Sequence, residues 1–287
     1  MTNKELILTA QCDDRPGLVA SISKWIFQRG GNILHLDQHV DSSSNRFFLR
    51  IHWSLDNSDE NNISLINKNF SQEIGDRLNL EFSLAWKDNI PQMAIFVTKL
   101  GHCLWDILSR YESSELQVKI PLIISNHKKY QELADKFEIP YFFIAKNKNN
   151  KIEQERKELA ILTENKIDFI VLARYMQILS PQFVSHFPNR IINIHHSFLP
   201  AFPGAKPYHR AHDRGVKLIG ATAHYVTSDL DEGPIIEQDT IRITHRDSVN
   251  DLIRNGRDLE KVVLSRAIRL HVNRQVMVHD NRTLVFG

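Results

Sequence analysis

Beyond residue 91 the chain alternates short, continuous apolar runs with stretches long enough to be helices. Met93–Thr98, Lys119–Ser125, Tyr141–Ala145 and Asp168–Ala173 are the runs. Continuous hydrophobicity marks strands covered on both faces, and helix-length connections between such strands are the crossovers of a parallel sheet. Residues 92–287 are therefore expected to fold as an α/β unit with a doubly wound, mostly parallel sheet. Arg190–His195 reads as a further strand. Ser180-Pro181 reads as a helix N-cap with proline in the first turn. Ile219–Val226 and Ile235–Ile243 read as paired strands joined by the loop Asp229–Pro234. Ser248 and Asp251, three apart, form a capping box that opens a helix running to about Val276. Thr283–Phe286 reads as one last edge strand.

The first 86 residues have a different rhythm. Residues 5–12 alternate apolar and polar, as a strand with one wet face does. The cluster Asp13–Gly17 turns the chain into a helix carried by Leu18, Val19, Ile22, Trp25, Ile26 and Phe27, and Gly30-Gly31-Asn32 ends that helix. Strands over Ile33–Val40 and Arg46–Leu55, a helix around Leu65–Ile74 and a strand over Leu78–Trp86 follow. The order β-α-β-β-α-β is that of the ferredoxin-like split βαβ unit. Lys87–Pro91 reads as a linker.

Composition removes several classes of partner. Lys and Arg number 36 against 34 Asp and Glu, a net charge of +2, so there is no basic surplus to hold nucleic acid or an anionic membrane. No apolar run reaches about 18 residues, so no membrane span is expected. The N-terminus lacks the apolar core of a secretory signal, and the two cysteines, Cys12 and Cys103, are far apart. A reducing cytoplasm is the expected location.

Residues 190–234 carry the chemistry. Ligands of α/β sheets sit beyond the carboxyl ends of the strands, and strand residues two apart project to the same side. Asn193 and His195 are so spaced. Asn193 offers an uncharged N–H donor for an oxygen that becomes negative in a tetrahedral intermediate. An imidazole titrates at about 6.5 when unperturbed, so His195 can take a proton and return it. Asp231, on the later loop, can orient that imidazole, stabilise its cation or position a water. The three suit acyl transfer or acyl hydrolysis without a covalent intermediate. There is no G-x-S-x-G motif for a serine nucleophile, and Cys103 reads as an inert buried thiol. His195, His196, His209, His212 and His224 crowd one segment, yet no H-E-x-x-H and no completing Cys or carboxylate spacing accompanies them. No metal is expected, and His209 and His212 read as neighbours on an exposed helix face.

Three ordered runs resemble a known family. They are Asn193–Pro200 (NIHHSFLP), Gly220–Val226 (GATAHYV) and Asp229–Ile236 (DLDEGPII). They are similar to the formyltransferase fold that uses 10-formyltetrahydrofolate, in which an Asn-x-His pair and a later Asp are catalytic. The resemblance places those roles on Asn193, His195 and Asp231. Leu172–Ser180 (LARYMQILS) is similar to the family's folate-pocket segment and implicates Met176, Gln177 and Leu179, with Thr227 and Ser228 on the later loop. Asp14-Arg15-Pro16-Gly17-Leu18-Val19 resembles the corresponding turn of ACT domains, small regulatory modules that often bind amino acids at subunit contacts. That resemblance gives Asp14, Pro16, Gly17 and Leu18 a regulatory reading; the alternative is a purely structural dimerisation domain.

An ACT domain (1–86), a linker (87–91) and a formyltransferase domain (92–287) is the arrangement of formyltetrahydrofolate deformylases. The resemblance implies hydrolysis of 10-formyltetrahydrofolate to tetrahydrofolate and formate, with the folate as a small-molecule substrate and no permanently bound cofactor. It also implies a homo-oligomer and an amino-acid effector, methionine or glycine. The related transferases cradle a sugar phosphate on a Gly-rich loop after the first strand of the domain. Here that place reads Thr98–Leu104 (TKLGHCL), with one glycine, which favours water as the acceptor. His196 stands where those transferases have proline, and His196 and His102 are read as acceptor-side residues. Two alternatives stay open: formyl transfer to an amine such as glycinamide ribonucleotide, and an amino-acid sensor with an inactive catalytic domain.

Overall fold

The structure is a computed structural model and describes residues 4–55, 62–147, 149–201 and 207–287. The chain divides into two compact units. One comprises residues 1–89, 273–277 and 286–287; the other comprises 90–272 and 278–285. The second unit is thus not the unbroken run 92–287, because a short piece near the C-terminus joins the first.

The first unit runs β1 (Lys4–Asp13), α1 (Leu18–Gln28), β2 (Gly31–Asp41), β3 (Arg46–Leu55), α2 (Ile63–Phe70), a π-helical turn (Ser71–Gly75), α3 (Asp76–Leu78) and β4 (Glu81–Trp86). Its antiparallel sheet has the order β2-β3-β1-β4, which is the split βαβ arrangement. One face carries the core: Trp25 and Phe82 pack edge-on against Phe70 at 5.0 and 4.8 Å. Asp14, Pro16, Gly17 and Leu18 form the β1–α1 connection, where the Asp14 amide donates to the Asn45 carbonyl at 2.8 Å and Leu18 is buried. The strand expected from Leu78 begins only at Glu81. Residues 76–78 prolong the helix, and Asn79, at a left-handed φ of 50°, ends it.

The second unit runs β5 (Gln92–Val97), α4 (His102–Glu112), β6 (Lys119–Ser125), α5 (Gln131–Lys136), β7 (Tyr141–Phe143), α6 (Lys151–Glu164), β8 (Phe169–Ala173), α7 (Pro181–Ser185), β9 (Ile191–His195), α8 (Pro207–Arg214), β10 (Leu218–Tyr225), β11 (Ile235–Arg242) and α9 (Val249–Val272). The sheet order is β11-β10-β9-β8-β5-β6-β7. Strands β5 to β9 are mutually parallel, and β10 is antiparallel to both its neighbours. The five residues of β8 are all buried, as a strand covered on both faces must be. The chain winds outward through β6 and β7 and then returns to the other side of β5, so winding reverses between β5 and β8. Such reversal points open a crevice at the carboxyl ends of the strands.

Local signals are met at several ends. Ser180 accepts from the Phe183 amide at 3.1 Å, and Ser248 and Asp251 bond reciprocally at 2.9 and 3.3 Å. Helix α9 stops at Val272 rather than Val276. Arg274 turns left-handed at φ 52°, and the buried Arg50 takes up the carbonyls of Asn273 and Arg274 at 3.0 Å each. The chain closes with the hairpin β12 (Val276–His279) and β13 (Arg282–Val285), a separate two-stranded sheet in place of the expected edge strand. Among the described residues no helix is long and apolar enough to cross a membrane.

Candidate active site

A cleft opens where β8 and β9 end, with roughly 1020 Å³ of space free of protein atoms, part of it open to solvent. Asn193, His195 and Asp231 all line it. Asn193 and His195 share one side of β9 through the two-residue strand period. Asp231 arrives on the β10–β11 loop in a left-handed conformation, φ 59°. The loop comes close because position 233 is glycine. A Cβ there would stand 1.8 Å from the Tyr225 carbonyl oxygen, a collision no side chain can relieve.

The hydrogen bonds assign the proton positions. Asp231 Oδ2 lies 3.3 Å from His195 Nδ1, so the carboxylate takes the Nδ1–H and leaves the Nε2 lone pair as the base. His195 is buried, and its Nε2 has no hydrogen-bond partner among the described residues. The His195 hydrogen bond holds the Asp231 carboxyl below its ordinary value. His224 lies across from Asn193 in the β9–β10 register and places Nδ1 2.9 Å from the Tyr225 carbonyl. Its Nδ1–H therefore donates there, and its Nε2 accepts from Asn193 Nδ2 at 3.2 Å. Burial lowers the His224 pKa and keeps it in this neutral, accepting form. One Asn193 N–H is committed to His224, and the other remains for a substrate oxygen.

The five residues expected to hold folate, Met176, Gln177, Leu179, Thr227 and Ser228, line the same cleft. They differ in kind. Leu179 is also part of the core beneath, whereas Met176, Ile178 and Leu230 stand about 60 % exposed on the rim. Exposed apolar side chains gathered round a cleft mark a ligand surface. The 174–180 segment is braced from below by a buried ionic group. Lys146 bonds Glu158 at 2.7 Å, Glu158 accepts from the Tyr175 hydroxyl at 3.1 Å, and Glu155 accepts from the Ser180 amide at 3.2 Å.

His196 also lines the cleft, and its ring lies edge-on to Tyr208 at 5.9 Å. Burial, with the Arg174 charge second, pushes its pKa down to about 3. An unfolded histidine takes up its proton near pH 6.5. Between those values the unfolded chain binds more protons, so this contribution to stability is full above about pH 6.5 and is lost as pH falls. His196→Gln is expected to lose less stability than the wild type between pH 7 and 5.5, by on the order of 1 kcal/mol, as read by denaturant unfolding at each pH. Equal losses would place the protonation elsewhere.

His102 does not line the cleft. Its Nε2 contacts the buried Glu260 at 2.7 Å, and Glu260 also accepts from the Tyr208 hydroxyl at 2.7 Å. Burial would raise the Glu260 carboxyl, but the His102 hydrogen bond and the Arg174 charge outweigh it and hold it below its ordinary value. His102, Cys103 and Glu260 are the one group of potential metal ligands that converges among the described residues. It fits a cation poorly. Arg174 Nε is 3.4 Å from Glu260, and burial drives the Cys103 thiol far above its ordinary pKa, so it keeps its proton. Of the histidines crowded in the sequence, His195, His196 and His224 meet at the cleft, whereas His209 and His212 stand exposed on α8.

The loop after β5 is closed by an aromatic ring. Tyr130 sits so near Gly101 that a Cβ there would lie 2.3 Å from the ring, and its hydroxyl donates to the Lys99 carbonyl at 2.8 Å. Sequence reasoning missed His224, Arg174, Glu260 and Tyr130 as parts of the site. His224 and Arg174 lay within the runs Gly220–Val226 and Leu172–Ser180 that carry the family resemblance, but nothing in the sequence set β10 beside β9.

The family model described as formyl transferase matches residues 91–268. The formyltetrahydrofolate deformylase of a Synechocystis strain is 54% identical over 287 residues, covering 100% of both chains. The crystal structure of a formyltetrahydrofolate deformylase from Pseudomonas syringae superposes with a TM-score of 0.96 at 39% identity, covering 100% of this chain and 96% of that one. A glycinamide ribonucleotide transformylase from Symbiobacterium toebii matches with a TM-score of 0.66 at 27% identity, over 71% of this chain and 98% of its own. The chain belongs to the formyltetrahydrofolate deformylase family.

Proposed function

We propose that the cleft hydrolyses 10-formyltetrahydrofolate to tetrahydrofolate and formate, with Asn193, His195 and Asp231 as the reacting-centre residues. The observation that carries this reading is the orientation of His195, with Nδ1 tied to Asp231 and an unpartnered Nε2 in the cleft that Asn193 also lines. The pterin lies between the 174–180 and 227–231 segments, against Met176, Gln177, Leu179, Thr227 and Ser228. Water attacks the formyl carbon as His195 Nε2 takes its proton. The free Asn193 N–H stabilises the oxyanion. His195 returns the proton to N10 as the carbon–nitrogen bond breaks. Formic acid then loses its proton to give formate.

Water is the acceptor because, among the described residues, nothing after β5 cradles a phosphate. Tyr130 fills the position against Gly101 that an open glycine loop would leave for an anion. Adding glycinamide ribonucleotide to enzyme and formyl-folate is expected to leave the rate of tetrahydrofolate formation unchanged and to yield no formylated amine. Acceleration, with formyl appearing on the amine, would make the chain a transferase.

The first unit is read as an ACT-like regulatory domain. Its antiparallel β-α-β-β-α-β sheet supports this, and Asp14, Pro16, Gly17 and Leu18 sit together where such modules receive an amino-acid effector. Methionine or glycine is the effector expected, and pairing of sheets between copies the expected route to a homo-oligomer. No permanently bound cofactor is needed for the reaction.

A further inference from the structure

The hydrolytic reading leaves one buried charged group at the cleft without a task. Arg174 follows β8 directly, at a left-handed φ of 62°. The parallel register sets Leu172 opposite Asn193, so Arg174 leaves β8 just beyond the end of its pairing with β9. Its side chain is only 7% exposed, and it lines the same cleft as His195 and His196. Its Nε is buried and has no hydrogen-bond partner among the described residues. The nearest carboxylate oxygen, Glu260 Oε2, stands 3.4 Å away and outside hydrogen-bond geometry. Glu260 is meanwhile engaged by His102 and Tyr208. A buried guanidinium with an unmet donor is costly unless a ligand completes it.

The reaction determines which ligand suits this place. The pterin is uncharged, and the folate carboxylates lie at the far end of that molecule from the formyl group. Hydrolysis creates one small anion at the reacting centre, namely formate. A carboxylate accepts two parallel N–H bonds from a guanidinium, a match of shape as well as charge.

We infer that Arg174 forms a formate-binding subsite at the acceptor end of the cleft, holding the carboxylate product after the carbon–nitrogen bond has broken. The inference rests on the hydrolytic reading. Glu260, fixed by His102 and Tyr208, faces the same guanidinium at 3.4 Å and is the carboxylate with which formate competes. The same charge repels a protonated amine from the place an acceptor would take, so one residue both receives the product and disfavours the competing acceptor.

The test is titration of carbon-13-labelled formate into full-length enzyme saturated with tetrahydrofolate, followed by NMR line broadening, with sodium chloride as the ionic control. Wild type is expected to bind formate saturably, and Arg174→Gln to bind it at least about tenfold more weakly, the loss of a charged hydrogen-bonded pair. Arg174→Lys should fall between them. Glu260→Gln, which removes the competing carboxylate, should bind formate more tightly than wild type. That opposite sign keeps the test decisive if Arg174→Gln does not fold. Equal formate binding by wild type and Arg174→Gln, or broadening that chloride reproduces, would overturn the subsite. Formate release from formyl-folate is measured on the same wild-type sample. If formate is released but not bound, only the subsite fails; if none is released, the hydrolytic reading fails with it.

Discussion

His195→Gln is expected to lower kcat by roughly 10²- to 10⁴-fold, the usual contribution of a positioned acid–base group. The dissociation constant for a non-reactive folate analogue should change by no more than a few-fold. The separation follows from where the residue stands. His195 is buried at the end of β9 with an unpartnered Nε2 in the cleft, whereas the surface proposed for the pterin is made by the 174–180 and 227–231 segments. Equal losses in binding and turnover would assign His195 to holding substrate. Near wild-type turnover would remove it from the chemistry.

Asp231→Asn is expected to cost a similar factor, also roughly 10²- to 10⁴-fold and mostly in kcat, by a different route. Asp231 accepts the Nδ1 proton of His195 and thereby keeps Nε2 free as a base. An amide can instead donate to Nδ1, which moves the imidazole proton to Nε2 and removes the base. The fold should survive, because the loop is held by the close approach of Gly233 to Tyr225 and by the bond from the Tyr225 amide to the Pro234 carbonyl at 2.9 Å. Proton NMR of the imidazole reports the tautomer directly. A variant that keeps the Nδ1–H form yet loses turnover would assign Asp231 to another task, such as holding the water.

Much of this arrangement could be read from local signals. Continuous apolar runs marked the buried strands, and Ser180 and Ser248 marked helix starts that the structure keeps. Asn193 and His195 could be paired because a strand period puts them on one side. Asp231 could be offered as their partner from its chemistry, and resemblance to a known motif strengthened the choice, since no local pattern tells that a loop will fold back onto β9. The unread parts are all long-range. His224 gains its role by lying across from Asn193, a pairing set by sheet register. Glu260 lies on α9, 158 residues from the His102 it contacts, and no pattern in either helix foretells the contact. Tyr130 closes the loop after β5 from a connection 31 residues further on. The early end of α9 has the same origin, because Arg50 claims carbonyls more than 220 residues away.

The central claim is that water receives the formyl group, and oxygen-labelled water tests it most directly. Enzyme and 10-formyltetrahydrofolate are incubated in oxygen-18 water with no amine present, and tetrahydrofolate and formate are quantified together. Equal amounts of the two are expected, with one labelled oxygen in each formate, and loss of both products in His195→Gln. Tetrahydrofolate appearing only when an amine is supplied, with no labelled formate, would contradict it.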